Sequence, residues 1–187
     1  QPAGAIELPE LNILYRRYEN KVVATASGYD NTQLSASQGL NLTKVADGWI
    51  VVPTGSGRQG YLTVSGRNSV TGAIVQLKRV EYKISPLPAP LIFCDGAKEG
   101  DRIDPRAKRL FAKYSQDVPL QKAKFEIKSW ECTVNGAPGR PPSGTGNDIS
   151  AATALILQAR PGTLITFDCT FIGPGNVQEK RMATFKR

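Results

Sequence analysis

The 187-residue sequence contains no histidine. That absence removes Ser-His-Asp triads, Cys-His pairs, histidine general bases and HExxH zinc chemistry, together with any imidazole-based pH switch. Cysteine is scarce as well. Cys94, Cys132 and Cys169 are too few for a disulfide scaffold, and none is spaced as in a CxxC zinc motif. Long apolar runs are missing too. The longest, Leu87 to Cys94, is interrupted by Pro88 and Pro90 and falls far short of the roughly 18 residues a membrane helix needs. The sequence opens Gln1-Pro2, with neither Met nor a basic segment leading into an apolar one, and so reads as a piece of a longer chain.

What is present is ordinary globular material, 40% hydrophobic and 21% charged. The length suits one domain or two small ones. Eighteen Gly and 13 Pro favour many turns over long helices. The pattern is strand-like almost throughout. In the first half, short apolar or alternating runs occur at residues 11–16, 21–27, 33–37, 40–45, 49–52, 61–65 and 74–84, with turn signals between them. In the last of these the apolar phase changes between Leu77 and Val80, which predicts a bulge. About seven strands in this length point to a β-sandwich.

Ser85-Pro86-Leu87-Pro88-Ala89-Pro90 carries proline at every second position. Such a segment cannot be a central strand and reads as a semi-rigid boundary between domains. Beyond it, Leu91 to Cys94 predicts a strand. Asp104-Pro105 resembles a helix N-cap with proline at the first helical position, and Ala107, Leu110 and Phe111 follow at helical spacing, so one short helix is expected over 105–113. Residues 125–134 alternate in two phases that a bulge near Lys128-Ser129 would reconcile. Residues 163–172 alternate cleanly, with Ile165, Phe167, Cys169 and Phe171 inward. Residues 178–186 would close the sheet with Met182 and Phe185 inward. Residues 149–157 fit helix by propensity and strand by boundaries, and strand is the expectation here. The fold expected is all-β: two tandem β-sandwich (immunoglobulin-like) domains, 1–88 and 89–187, the second with one short helix.

No constellation points to catalysis, so the chain is expected not to be an enzyme, with no catalytic residue, no cofactor and no metal. Asp95, Glu99, Asp101 and Asp104 could offer oxygen ligands to calcium, but Lys98 and Arg102 intervene and the DxDxDG spacing is missing. Cys132 and Cys169 fall at inward strand parity, as buried thiols or a disulfide, with Cys94 as a third candidate partner. Trp49 and Trp130 sit within apolar strands, as core residues do. The chain carries 24 Lys and Arg against 16 Asp and Glu, a net charge of +8. Residues 1–90 hold 9 against 6 and residues 91–187 hold 15 against 10. Nucleic acid is not the expected partner, because basic and acidic residues are mixed and no aromatic RNA-binding motif accompanies them. A basic face of this kind is either a plain solvated surface or a docking site for an acidic protein. The candidate contacts are Arg106, Lys108, Arg109 and Lys113 on the expected helix and Arg140 in the Gly/Pro-rich loop at 135–148.

Several segments resemble, in order, the C-terminal part of the GldM/PorM family of the type IX secretion and gliding machinery of Bacteroidetes. Residues 12–20 (NILYRRYEN) are similar to the family's NVLYxGxxN opening, with Arg17-Tyr18 where the family has glycine plus an aliphatic residue. Residues 80–90 (VEYKISPLPAP) resemble its FxVxxIPxPxP boundary, and residues 96–100 (GAKEG) its GGKxGG-like turn, preceded by Cys94-Asp95 in place of a glycine or small pair. Residues 125–134 resemble its FxVxSFxV strand. Phe171 to Asn176, followed by Arg181, resembles its closing GPDGxxR segment. The basic, cysteine-containing composition is more similar to the PorM branch. The resemblance implies a periplasmic homodimer, anchored in the inner membrane by an N-terminal helix outside this sequence and joined there to an ion-driven motor partner. Its C-terminal β domains would contact a ring of outer-membrane-associated proteins. The alternatives are a carbohydrate-binding or adhesin-type β-sandwich, and a polyanion binder.

Overall fold

A computed structural model describes residues 3–7 and 12–187. The chain divides into two compact units, Gln1–Pro88 and Ala89–Arg187. Strands are the main regular element of both.

The described residues of the first unit form eight strands: β1 (Ala3–Glu7), β2 (Ile13–Tyr15), β3 (Asn20–Ser27), β4 (Asn31–Ala36), β5 (Leu40–Val45), β6 (Gly48–Pro53), β7 (Gln59–Arg67) and β8 (Ile74–Ser85). They make two four-stranded sheets, ordered β1-β3-β6-β5 and β2-β8-β7-β4. Every pairing among them is antiparallel except β2 with β8. The alternation seen in the sequence becomes two faces per strand. In β3, for instance, Asn20, Val22, Ala24 and Ala26 are buried and Val23, Thr25 and Ser27 are exposed. Leu14, Val22, Val51, Leu62, Tyr82 and Ile84 fill one part of the core. Ala24, Trp49 and Val64 fill another, and Leu77 packs against them half-buried. The expected bulge in β8 lies at Leu77. Val64 is opposite Lys78 and Ser65 opposite Gln76, so Leu77 has no partner across the ladder and turns to the core. β1 is a strand beyond those expected; its Ala/Gly-rich sequence offers a single β-branched residue, Ile6, and no alternation to mark it. The strand expected over 11–16 is realised as Ile13–Tyr15, with Leu11 outside the described residues.

The second unit contains β9 (Leu91–Cys94), β10 (Leu110–Lys113), β11 (Glu126–Val134), β12 (Ser143–Thr145), helix α1 (Ser150–Gln158), β13 (Leu164–Ile172) and β14 (Gln178–Lys186). A four-stranded antiparallel sheet, β12-β11-β13-β14, and a two-stranded ribbon, β10-β9, share one core with α1. That core holds Trp130, Phe167, Phe171 and Phe185 among aliphatic residues and all three cysteines. Edge-to-face ring contacts join Trp130, Phe167 and Phe185 in series, at 6.1 Å for each pair of centroids. Gly144 lies against Trp130: a Cβ there would stand 2.8 Å from the indole, so only glycine lets β12 cover the ring.

The bulge expected near Lys128-Ser129 is present. Ile127 faces Phe171 and Ser129 faces Thr170, leaving Lys128 as the extra residue. Ile127, Trp130, Cys132 and Val134 therefore all reach the core. Three expectations are corrected. The short helix over 105–113 does not form. Residues 105–109 are a loop, and Leu110–Lys113 is β10, with Leu110 and Ala112 buried and Phe111 and Lys113 exposed. Asp104-Pro105 makes a turn, in which the Asp104 carboxylate accepts the Arg106 amide at 2.9 Å and its carbonyl accepts the Ala107 amide, also at 2.9 Å. The strand expected over 149–157 is instead α1, which buries Ala152 and Ile156 one turn apart. Met182 faces solvent, 66% exposed, while its neighbours Ala183 and Phe185 fill the core.

Candidate functional site

The five basic residues singled out in the sequence are all exposed. Four sit along one stretch of the second unit, although on a loop and a strand rather than a helix. Asp95, in a left-handed conformation (φ 48°), directs its carboxylate at this loop. It accepts the Lys108 amide at 3.0 Å and the Arg109 amide at 3.1 Å. The Arg109 carbonyl accepts the Asp95 amide at 2.8 Å, and the Lys108 carbonyl accepts the Ile149 amide at 2.9 Å. Two cationic side chains are thus held outward by a backbone pinned from both sides. Asp148 lies close to both, and its carboxyl titrates below its ordinary range, chiefly through hydrogen bonds from Ser150, with Arg109 and Lys108 adding a smaller attraction. Lys113 follows on β10, its ammonium 4.8 Å from the Phe93 ring centre and 5.8 Å from that of Phe111.

Arg140 is placed elsewhere. It lies in the β11–β12 connection, ahead of the point where the Pro142 carbonyl accepts the Cys132 amide. That is the C-terminal end of β11, whereas Lys113 lines a groove at the N-terminal end, beside Glu126 and Ile127. The groove was not foreseen. It has a volume of about 440 Å³ and runs along β10, walled by residues 121–127 and by Gly146-Asn147. It is formed by chain segments distant in sequence, so no local pattern announces it.

Three of the four acidic residues considered for calcium are separately engaged. Asp95 and Asp104 accept backbone amides as described. Glu99 accepts the Ile92 amide at 2.9 Å and takes a two-pronged contact from Arg181, Nε to Oε1 at 3.0 Å and Nη2 to Oε2 at 3.1 Å. Burial alone would raise the Glu99 carboxyl, but the bonds from Arg181 and Ile92 outweigh it and hold it below its ordinary value. Among the described residues no three acidic or cysteine side chains are gathered as metal ligands.

Cys94, Cys132 and Cys169 are free and buried. Burial pushes each thiol up to about 12, so at neutral pH they are protonated apolar groups rather than nucleophiles. Trp49 and Trp130 are core residues, as expected. Lys44 covers the Trp49 ring at 4.0 Å, and Trp130 donates its indole N–H to the Asp148 carbonyl at 2.9 Å.

Both units are rich in strands, and the second carries exposed basic side chains on a loop pinned by backbone hydrogen bonds. Residues 5–85, nearly the whole first unit, match the family model described as the GldM third domain. The match likens the first unit to that domain and leaves the second unit outside it. Among curated proteins none matches this sequence. No helix among the described residues is long and apolar enough to cross a membrane.

Proposed function

We propose that this chain is a periplasmic coupling component of the type IX protein secretion machinery. In this reading it is part of a homodimeric shaft between an inner-membrane motor and an outer-membrane-associated ring, of the PorM branch. A membrane helix outside this sequence would supply the anchor and the motor contact. The GldM third-domain match over residues 5–85 is the observation that carries the reading. The construction of the two units suits it. Force transmission needs stiff cores and docking faces, and each unit has a packed core, with exposed, backbone-pinned charges on the second. The second unit is the docking end, with Arg106, Lys108, Arg109 and Lys113 as its cationic face and Arg140 as a separate contact.

Charge reversal tests the face. The triple variant Arg106→Glu, Lys108→Glu, Arg109→Glu should retain periplasmic ring proteins at least about tenfold less well in pull-down, with unchanged thermal unfolding, because opposed charges across an interface speed association and like charges weaken it. Arg140→Glu provides an independent arm. Undiminished retention by the folded triple variant would remove the face from the account.

A further inference from the structure

The ribbon β9–β10 has two outer edges, and they are treated differently. Its register pairs Cys94 with Leu110, Phe93 with Phe111, Ile92 with Ala112 and Leu91 with Lys113. The Asp95 amide donates to the Arg109 carbonyl, one residue outside the Cys94–Leu110 pair. That pair is therefore of the non-bonded kind, and so by alternation is Ile92–Ala112. The backbone N–H and C=O of Ile92, Cys94, Leu110 and Ala112 consequently point away from the ribbon. On the β9 edge, Ile92 N–H goes to the Glu99 carboxylate and Cys94 N–H to the Ala97 carbonyl at 3.0 Å. On the β10 edge, Leu110 N–H goes to the Asn147 carbonyl at 3.0 Å, and the Asn147 amide returns a bond to the Leu110 carbonyl at 3.2 Å. Among the described residues of this ribbon, only Ala112 is left with its outward N–H and C=O facing no strand, and it lines the groove of about 440 Å³. That volume lies within the range of about 300–1,000 Å³ typical of binding clefts.

The groove also has a sign. Lys113 and Lys124 line it, and its one acidic residue, Glu126, is paired with Lys128 at 3.1 Å. Phe125 and Ile127 supply an apolar wall, and Phe111, 39% exposed, stands on the solvent side of β10. The outward N–H and C=O of one edge residue are matched by the C=O and N–H of an extended polypeptide strand laid beside it, the pairing used in strand addition.

We propose that this groove captures an extended, acidic peptide segment of a partner protein, which adds as a strand along β10. The segment's backbone pairs with Ala112. Its acidic side chains meet Lys113 and Lys124, and its alternate apolar side chains lie against Phe125 and Ile127. The proposal rests on reading the second unit as the docking end and specifies how it docks.

The test is selection of short random peptides displayed on phage against the full chain, followed by measurement of the enriched peptides in solution. Enriched peptides should alternate acidic and apolar residues. They should slow amide hydrogen exchange at Ala112, lose binding when alternate backbone amides are N-methylated, and bind about tenfold or more weakly to Lys113→Glu, Lys124→Glu. A folded Ala112→Pro variant, which removes the N–H, should not bind. Failure to enrich any peptide family overturns the proposal. So does enrichment of neutral or basic peptides, or binding that survives N-methylation. Ring-protein retention lost in the Arg106/Lys108/Arg109 variant with no peptide enriched would discard the groove and keep the docking face. Peptide capture without ring-protein retention would keep the groove and discard that partner.

Discussion

Asn20 is the one polar residue buried among the described residues, and it closes the turn between β2 and β3. Its side-chain oxygen accepts the Tyr15 amide at 2.9 Å, and its amide nitrogen donates to the carbonyls of Tyr15, Tyr18 and Val51. The terminal Asn of the NILYRRYEN segment is therefore a turn lock. Within the same turn Arg17 adopts φ 59°, and in the second unit Asp95 has φ 48°. These are two of the positions where the sequence departs from the resembled glycine or small-residue pattern, and both need the left-handed backbone that glycine supplies freely. The two replacements differ in compensation. Arg17 is exposed, whereas Asp95 accepts two amides. Arg17→Gly should leave stability unchanged or raise it by up to about 1 kcal/mol, the relief of a left-handed residue being offset by the greater chain entropy of glycine. Asp95→Gly should lower it by about 1 kcal/mol, since two amides lose their acceptor. Urea unfolding midpoints of the two variants, moving in these different directions, check this account; equal shifts would contradict it.

Strands with a strict period of two are legible in the residue pattern alone. The bulges at Leu77 and Lys128 are legible as well, because a phase change in an apolar pattern has few other physical causes. The misread segments are those in which tertiary contacts decide. Leu110 and Phe111 carry a helical spacing, yet β9 offers a pairing partner and the Asp95 carboxylate straightens the approach, so the segment extends. In α1 the Ala-rich sequence has its own way. The Asp148 carboxylate accepts the Ser150 amide at 2.8 Å, and Arg187 donates to the Ile156 and Leu157 carbonyls at the far end. The tie between β14 and the turn after β9 is the Arg181–Glu99 contact, half-buried on both sides. The folded Glu99 carboxyl titrates below its ordinary 4.5, so the stability it adds is present above that pH and is lost as pH falls through the folded value. Arg181→Leu should cost about 1–2 kcal/mol at pH 7, the roughly 1.5–3 kcal/mol of a hydrogen bond to a charged group lowered by the partial exposure of both side chains. Its deficit relative to the unaltered chain should shrink as pH falls below about 4, where protonation removes the contact from both. Denaturant melts at pH 7 and pH 3 check this, and a constant deficit would refute it.

At the scale of the whole molecule, the missing histidines exclude imidazole chemistry at the outset, and the strand pattern points to the all-β architecture. The proposed docking surface is legible only in part. A cluster of Lys and Arg shows in the sequence, but whether it lies on a helix, and whether a groove opens beside it, depends on residues 92, 112, 127 and 147 meeting in space. The reading as a coupling module makes self-association and ring binding properties of one particle. Light scattering of the chain, alone and mixed with the periplasmic ring proteins, measures both at once. The account predicts about twice the 20.2 kDa chain mass for the protein alone and a heavier complex that includes the ring proteins when they are added. A single-chain mass that the ring proteins leave unchanged would contradict it.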